Sequence, residues 1–262
     1  MGNSRNKIKA VSATLYNQEY YEHSGGAKCF FSGSIHPIYQ KSFYVSCLEK
    51  KENLTILDLG CGRGDLSKVL LSELVNPFII ATDYSSDALK IVKDSYGENV
   101  RPVKSESVSL PFKSGTIDCV FFLDIVEHLY PEYLDATIKE ICRIMKPGGR
   151  LVIHTFPTRL MNDVAHFILR LFKKSSIGQE LHVNTQTYFS MKKLLLKNGF
   201  KNARISLECR DDLLEDNIAL TDGVSKKMLK IGDKIYQVIG RIFHFSPLIF
   251  FLSSDIWVFA AK

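Results

Sequence analysis

Short apolar runs alternate with amphipathic stretches along most of the chain. Each apolar run is rich in Val, Ile, Leu and Phe and bounded by polar or glycine residues, which predicts strands near 54–59, 78–82, 100–104, 117–123 and 149–155. Helical spacing between the runs favours right-handed crossovers and a parallel sheet with helices on both faces. Further along, the pattern predicts a helix over 185–198 and two more strands, Phe200–Glu208 and Ile256–Ala261.

Three glycines follow the first predicted strand at alternate positions. The strand ends near Asp58, and Gly60, Gly62 and Gly64 come next, before an amphipathic run. Glycine allows backbone angles that other residues avoid, and a helix N-terminus presents free N–H groups to a ligand. This pattern predicts a nucleotide-like cofactor site, although a plain strand–turn–helix is an alternative. The spacing departs from G-x-G-x-x-G because Asp65 occupies the sixth position, which argues against a dehydrogenase.

A second acidic residue ends the next predicted strand, about twenty residues along the chain. Asp83 closes the run Phe78–Asp83, and helix-starting residues follow it at Ser85 and Ser86. A carboxylate at this place is able to accept hydrogen bonds from two ribose hydroxyls. The pair of strand-ending acids therefore supports a site for a nucleoside-containing cofactor.

Five segments in order, LDLGCGRG, ATDYS, LPF, IDCVFFLDIVEHL and RIMKPGGRLVI, resemble the class I S-adenosylmethionine-dependent methyltransferases. The resemblance is to the small-molecule branch that includes ubiquinone and menaquinone biosynthesis methyltransferases. It covers about residues 54–157 and continues more weakly through 182–200. It implies a Rossmann-like, doubly wound, seven-stranded and mostly parallel sheet, with an antiparallel last strand and a helical cap.

The resemblance also implies roles for the matching residues, with S-adenosyl-L-methionine as cofactor. The glycine turn would line the methionine part of the cofactor, Asp83 would hold the ribose hydroxyls, and Tyr84 would pack on the adenine. Asp124 would lie beside the methyl group or else cap a short helical turn. The full set of expected cofactor-binding residues is Asp58, Gly60, Cys61, Gly62, Gly64, Asp83, Tyr84, Glu106, Ser107, Leu123 and Asp124. Glu106 departs from the Asp that the family often has there.

The remaining segments predict a lid and a cap. We expect residues 1–50 to form an N-terminal helical lid on a domain spanning 51–262, with cap insertions at about 160–184 and 210–250. The insertions would lie above the carboxyl ends of the strands, where α/β sheets bind ligands. Three lid tyrosines would close over the cofactor or simply pack the lid: Tyr16, Tyr20 and Tyr21.

Three histidines near the predicted strand ends are candidate proton acceptors, because the histidine pKa lies near neutrality. His128 follows the fourth strand, His154 ends the fifth, and His182 precedes the helix over 185–198. The alternative for each is packing or capping. The six cysteines form no C-x-x-C pair and have no accompanying histidine cluster, so we expect reduced thiols and no metal site.

The net charge of +6 comes partly from lysines and arginines at 170–174 and 226–241, interleaved with bulky apolar residues. That pattern suits either a cap helix on the core or a helix on a membrane surface. The first residues carry no apolar signal segment, so we expect a cytoplasmic protein.

We expect a methyltransferase that modifies an oxygen, carbon or nitrogen of a small, hydrophobic or lipid-like molecule. A non-catalytic cofactor-binding protein is the first alternative. The presence of Asp58, the three glycines and Asp83 argues against it, because no residue of the expected cofactor pocket has been replaced by one that would block it. A nucleic-acid methyltransferase is the second. It is disfavoured because Leu123-Asp-Ile-Val stands where base-amino methyltransferases typically have an Asn/Asp-Pro-Pro-aromatic motif.

Overall fold

The computed structural model describes residues 16–23, 27–46, 48, 52–160, 162–163, 182–209, 226–243 and 246–262. The helices and strands follow in chain order as α1 (Gln18–His23), α2 (Ala27–Phe31), α3 (Pro37–Val45), β1 (Thr55–Leu59), α4 (Asp65–Glu73), β2 (Phe78–Asp83), α5 (Ser86–Tyr96), β3 (Val100–Lys104), β4 (Ile117–Leu123), α6 (Pro131–Ile144), β5 (Met145–Thr155), α7 (Tyr188–Lys197), β6 (Arg204–Glu208), α8 (Lys226–Phe243), α9 (Ile249–Leu252) and β7 (Asp255–Ala261). Short 3₁₀ turns cover Gly97–Asn99 and Val126–His128.

The seven strands form one sheet in the order β3-β2-β1-β4-β5-β7-β6. β1 pairs in parallel with both β2 and β4, and β4 pairs in parallel with β5. β7 runs antiparallel to β5 and β6, between which it lies. The predicted fold, a mostly parallel sheet with an antiparallel last strand, is therefore confirmed.

Helices cover both faces of the sheet and bury its central strands. On one face, α6 and α7 contribute Leu134, Ile138 and Met191 to the core. On the other face, α4 contributes Leu66 and Leu70. Strands buried on both sides are continuously apolar, which is why β1 and β4 were recognisable without an alternating pattern.

Element boundaries differ from the predictions where local pairing overrides the pattern. β5 begins at Met145 rather than 149, because Met145 pairs with Ile117 ahead of a register shift. α7 begins at Tyr188 rather than 185, because Gln186 instead forms a bridge with Thr158 and Thr187 caps the helix. The carboxyl ends of β1, β2, β4 and β5 meet at one edge of the sheet, where the candidate site lies.

The predicted lid and cap lie partly outside the described residues. Residues 1–15 and 24–26 of the lid and most of 161–181 and 210–225 of the cap fall there, so the predicted domain division stays a prediction. Within the described part of the chain, α1–α3 come from the lid and α8 from the second cap insertion. None of the described helices is both long enough and apolar enough to cross a membrane.

Candidate active site

The glycine turn after β1 is held by the end of β2. The backbone N–H groups of Gly60 and Cys61 both donate to the Thr82 carbonyl, at 2.8 and 2.9 Å. Gly60, Gly62 and Gly64 have φ values of 75°, 51° and 82°. Side chains disfavour this left-handed region, so the turn requires glycine for its backbone path.

The surroundings of the three glycines differ. A Cβ on Gly64 would lie 2.8 Å from Cε2 of Tyr96, and the Tyr96 hydroxyl donates to the Gly64 carbonyl at 2.7 Å. A Cβ on Gly60 would lie 2.4 Å from Cδ1 of Ile125. At Gly62 the nearest atom would be Cε1 of Tyr21, at an ordinary contact distance of 3.6 Å. Gly64 therefore serves the packing of α5, whereas Gly62 faces the lid.

Two buried carboxylates flank this turn. Asp58 is 5% exposed, and its Oδ2 has no hydrogen-bond partner among the described residues. Burial, with the charges of Asp65 and Asp83, raises the pKa of Asp58 to about 8. An acid in this environment gains from a cationic partner, because a nearby positive charge offsets the cost of burying the carboxylate.

Asp83 is held by the backbone around it. Its Oδ2 accepts from the Gly62 N–H at 3.0 Å and its Oδ1 from the Ser85 N–H at 2.9 Å. Burial raises the pKa of Asp83, and the hydrogen bonds from these N–H groups oppose that rise. A carboxylate has about four acceptor positions, so two hydroxyl donors can still be accommodated.

Aromatic residues of the lid lie over the turn. The Tyr16 ring contacts the rings of Tyr20 and Tyr84, with centroids 5.0 and 5.6 Å apart. Two hydrogen bonds anchor this segment: Arg63 Nη1 donates to the Tyr21 carbonyl, and Ser85 Oγ donates to the Tyr16 carbonyl. The lid and Tyr84 thus form one aromatic cluster beside Asp83.

The other expected cofactor residues occupy the same edge with different exposure. Cys61 and Leu123 are buried at 8% and 7% exposed, and burial raises the pKa of the Cys61 thiol. Glu106 is exposed, whereas Ser107 Oγ is hydrogen-bonded to Thr137 Oγ1 at 2.7 Å. The Ser105 N–H donates to the Asp83 carbonyl, which brings this loop beside the end of β2.

His154 lies behind Asp124 rather than in the open site. Its Nδ1 is 2.5 Å from Oδ1 of Asp124 and its Nε2 is 3.0 Å from Oδ1 of Asp255, and the residue is 1% exposed. Burial by itself lowers the pKa of His154, but the two carboxylates raise it to about 10. With both ring nitrogens engaged, His154 is placed to position Asp124, not to contact an acceptor. The N-cap residue of the turn after Asp124 is Ile125, which makes no side-chain capping hydrogen bond.

The other two candidate histidines come together. The rings of His128 and His182 have centroids 5.2 Å apart, and the Tyr16 ring contacts His128 at 6.0 Å. Glu127 lies beside them, with Oε1 3.9 Å from Nε2 of His128. Sequence analysis identified both histidines as candidates. It did not predict that they lie close together, that Glu127 lies beside them, or that Asp255 contacts His154. The only feature of the sequence that pointed to Glu127 was its position next to His128, directly after β4.

The known proteins that this chain resembles are consistent with the observed fold and with the glycine turn after β1. Residues 56–149 match a family described as "Methyltransferase domain". A ubiquinone/menaquinone biosynthesis C-methyltransferase of Hahella chejuensis is 25% identical over 166 residues, covering 60% of this chain and 65% of that protein. A demethylmenaquinone methyltransferase of Lactococcus lactis is 39% identical over 105 residues, covering 38% and 40%. The matched segments thus span about half the length of these curated relatives.

Solved structures share the architecture. An S-adenosylmethionine-dependent methyltransferase from Archaeoglobus fulgidus superposes with a TM-score of 0.58 and 20% identity, covering 87% of this chain and 95% of the other. Phosphoethanolamine N-methyltransferase 2 of Haemonchus contortus, in complex with S-adenosyl-L-methionine, superposes with a TM-score of 0.63 and 15% identity, covering 96% and 60%. At such identities the likeness concerns the fold. Residues 56–149 thus match a methyltransferase domain, and the chain resembles class I S-adenosylmethionine-dependent methyltransferases, including those of ubiquinone and menaquinone biosynthesis.

Proposed function

We propose that this protein transfers a methyl group from S-adenosylmethionine to an oxygen, carbon or nitrogen of a small hydrophobic or amphiphilic molecule. The observation that carries the proposal is the buried Asp58 carboxylate, whose Oδ2 finds no hydrogen-bond partner in the described part of the chain and which lies under a turn of left-handed glycines. The ammonium group of the cofactor's methionine part would supply the missing positive charge. A cofactor that carries a protonated amino group thus fits the carboxylate present here.

The other cofactor contacts follow from the site geometry and the resemblance. Asp83, held by two backbone N–H groups, would accept hydrogen bonds from the ribose hydroxyls. Tyr84 would pack on the adenine, with the loop at Glu106 and Ser107 near its amino group. Leu123 ends β4 and Asp124 follows it, and both would lie beside the methyl group. The bound cofactor supplies an electrophilic methyl group on a positively charged sulfur.

The protein's own contribution would be alignment, exclusion of water and handling of a proton. The tyrosines of the lid would close the cofactor site against water. His128 and His182 are only partly buried and lie at the lid, so either is placed to accept a proton from an acceptor. His154 would act indirectly, by holding the Asp124 carboxylate in one orientation.

The nature of the acceptor is supported by two features. The curated relatives act, by their names, in ubiquinone and menaquinone biosynthesis. In addition, α8 exposes an apolar stripe of Ile231, Ile235, Val238 and Ile242, which are 49%, 56%, 54% and 67% exposed. The basic residues Lys230, Lys234 and Arg241 are exposed on the same helix. An amphipathic helix of this kind suits contact with an anionic membrane surface, where a lipid-like acceptor would be found.

The test is a methyl-transfer assay with cofactor labelled in its methyl group. Phenolic quinone precursors with and without an isoprenoid tail serve as acceptors, and the labelled product is measured by mass spectrometry. We expect transfer to a tailed acceptor and none by the Gly62→Val variant. Calorimetry with S-adenosylhomocysteine accompanies the assay. Tight binding without transfer to any small acceptor would instead favour the non-catalytic alternative. Transfer to RNA, included as a separate acceptor, would favour the nucleic-acid alternative.

A further inference from the structure

Three side chains of the kinds that bind transition metals converge at the lid edge of the site. The ligand atoms of Glu127, His128 and His182 all lie within 4.8 Å of one another. We propose that these three residues form a binding site for one divalent transition-metal ion, of the type that prefers imidazole and carboxylate ligands, such as zinc. The sequence predicted no such site, because His182 is distant from the Glu-His pair along the chain.

The carboxylate is oriented by a partner behind it. Thr155 Oγ1 donates to Oε2 of Glu127 at 2.7 Å, while Oε1 is the oxygen nearer to His128. Metal-binding carboxylates are usually held in this way, by a hydrogen bond to the oxygen that does not face the ion. Adjacent residues on a helical turn do not normally face each other, so the approach of Glu127 to His128 is a specific feature of the 3₁₀ turn.

The segment that carries His182 is fastened to the same turn. The Asn184 N–H donates to the Glu127 carbonyl at 3.1 Å, and Gln186 Nε2 donates to Asn184 Oδ1 at 2.6 Å. The Arg159 N–H in turn donates to the Gln186 carbonyl at 2.9 Å. These bonds, two from the backbone and one between side chains, hold the segment of His182 beside His128 and do not depend on contacts between the two rings.

The spacing and burial of these three side chains suit a metal ion that keeps one coordination position open. Ligands around a tetrahedral ion with bonds of about 2.1 Å lie about 3.4 Å apart, so small side-chain rotations would close the present separations. The Glu127 and His128 side chains are 3% and 14% exposed, which leaves part of the cluster accessible. Three protein ligands with a fourth position open to a small molecule are typical of catalytic rather than structural sites.

A bound ion would take up the lone pairs through which His128 and His182 could accept a proton, so their proposed role as proton acceptors applies to the ion-free protein. Metal binding can be measured without cofactor or acceptor, so this proposal stands or falls separately from methyl transfer. Tag-free protein is titrated with Co²⁺ and followed by its visible absorption, and Zn²⁺ affinity is measured by calorimetry. We expect one ion per chain. Glu127→Gln and His182→Ala should each weaken binding by about 100-fold or more, and Thr155→Val by about 10–100-fold, since loss of an orienting partner has effects of that size.

His36→Ala is the matched control, because His36 lies outside the cluster at the start of α3, and it should bind like the wild type. Glu127→Gln keeps the shape of the side chain and an acceptor for Thr155, so circular dichroism should show it folded. Three results would overturn the proposal: no saturable binding by the wild type, equal affinities for the cluster variants and His36→Ala, or a sulfur-to-cobalt charge-transfer band indicating cysteine ligation.

Discussion

Nδ1 of His154 lies 2.5 Å from Oδ1 of Asp124, across the ends of neighbouring strands β5 and β4. Asp255 holds the opposite ring nitrogen, and the imidazole also packs on Trp257 with ring centroids 4.3 Å apart. Asp124 itself has a φ of 55°, an uncommon conformation for a residue with a side chain. A single buried histidine therefore pairs with two carboxylates and restrains the orientation of Asp124 at the end of β4.

Removing this histidine should destabilise the fold in a pH-dependent way. His154→Ala leaves the buried Asp255 without its cationic partner, so we expect a loss of about 3–5 kcal/mol in the free energy of unfolding at pH 7. The folded-state pKa of about 10 exceeds the usual value near 6.5. The stabilising contribution is therefore complete below about pH 6.5 and declines as the pH rises towards 10.

Urea unfolding of the wild type and His154→Ala between pH 6.5 and 9.5 measures this difference. The difference in the free energy of unfolding between the wild type and His154→Ala should become smaller as the pH rises. His36→Ala is the control: loss of the N-cap of α3 should lower the free energy of unfolding, but without the narrowing with pH that is expected for His154→Ala. A gap of the same size at pH 6.5 and 9.5 would mean that His154 contributes packing alone, without the ion pairs.

The sequence predicted the sheet well because its central strands are nearly uninterrupted apolar runs that end in acids or histidine. Asp58, Asp83, Asp124 and His154 were identified for that reason: the carboxyl ends of parallel strands meet at one edge. It could not predict the partner of His154, because Asp255 comes from an antiparallel strand near the end of the chain. Contacts between residues that are far apart in the chain produce no recognisable local pattern in the sequence.

Substitutions of Gly62 and Gly64 should affect the stability of the fold and the binding of the cofactor differently. Gly62→Ala and Gly64→Ala place the same side chain at positive φ, which costs about 1–2 kcal/mol each. Only Gly64→Ala also brings a Cβ within 2.8 Å of Tyr96, so it should lower the free energy of unfolding further. Gly62→Val should remain folded but lose measurable affinity for S-adenosylhomocysteine, because the branched side chain resists the backbone conformation and occupies the approach to the turn.

Chemical unfolding and calorimetry on the same preparations compare these variants. Equal stabilities of Gly62→Ala and Gly64→Ala would show that the Tyr96 contact is relieved at no cost. Normal cofactor affinity in Gly62→Val would remove this glycine from the binding site and leave it a structural role.

Asp83 should contribute directly to cofactor affinity. Asp83→Ala should weaken binding of S-adenosylhomocysteine by about 1.5–3 kcal/mol, the size of hydrogen bonds to a charged group. Calorimetry measures the affinity, and Asp87→Ala serves as control because Asp87 is an exposed acid in the first turn of α5. Equal affinities for the two variants would exclude Asp83 from the site.

Asp58 should make cofactor binding depend on pH. Its pKa is about 8 without a ligand, and a bound ammonium group would lower that value, so binding should release a proton. Affinity should then rise between pH 5.5 and 7.5, a range in which an α-amino group stays mostly protonated. Calorimetry in buffers of different ionisation enthalpy counts the protons. Asp58→Asn should bind more weakly at pH 7.5 and lose the pH dependence, whereas an unchanged profile in this variant would assign the proton elsewhere.

The exposed face of α8 should bind anionic membranes. Its inward face contains Asp233, 3% exposed, and Gly240, whose Cβ position lies 2.5 Å from Cys209 Sγ, so the helix already packs on the domain by its other side. Replacing both Ile235 and Ile242 by Glu removes apolar area and adds negative charge. Flotation with vesicles containing phosphatidylglycerol should show about tenfold less bound protein, since burying an isoleucine gains about 1.5–3 kcal/mol.

Leu196→Glu is the matched control, because Leu196 is an exposed apolar residue on α7, away from the stripe, with 49% exposure. Neutral phosphatidylcholine vesicles should bind the wild type more weakly than anionic ones, because the lysines and arginine of α8 then lack an attracting surface. Equal flotation of the double variant and Leu196→Glu would place the membrane contact elsewhere. No flotation of the wild type with either vesicle would leave the apolar stripe without a membrane role, and the acceptor would then have to reach the site from solution.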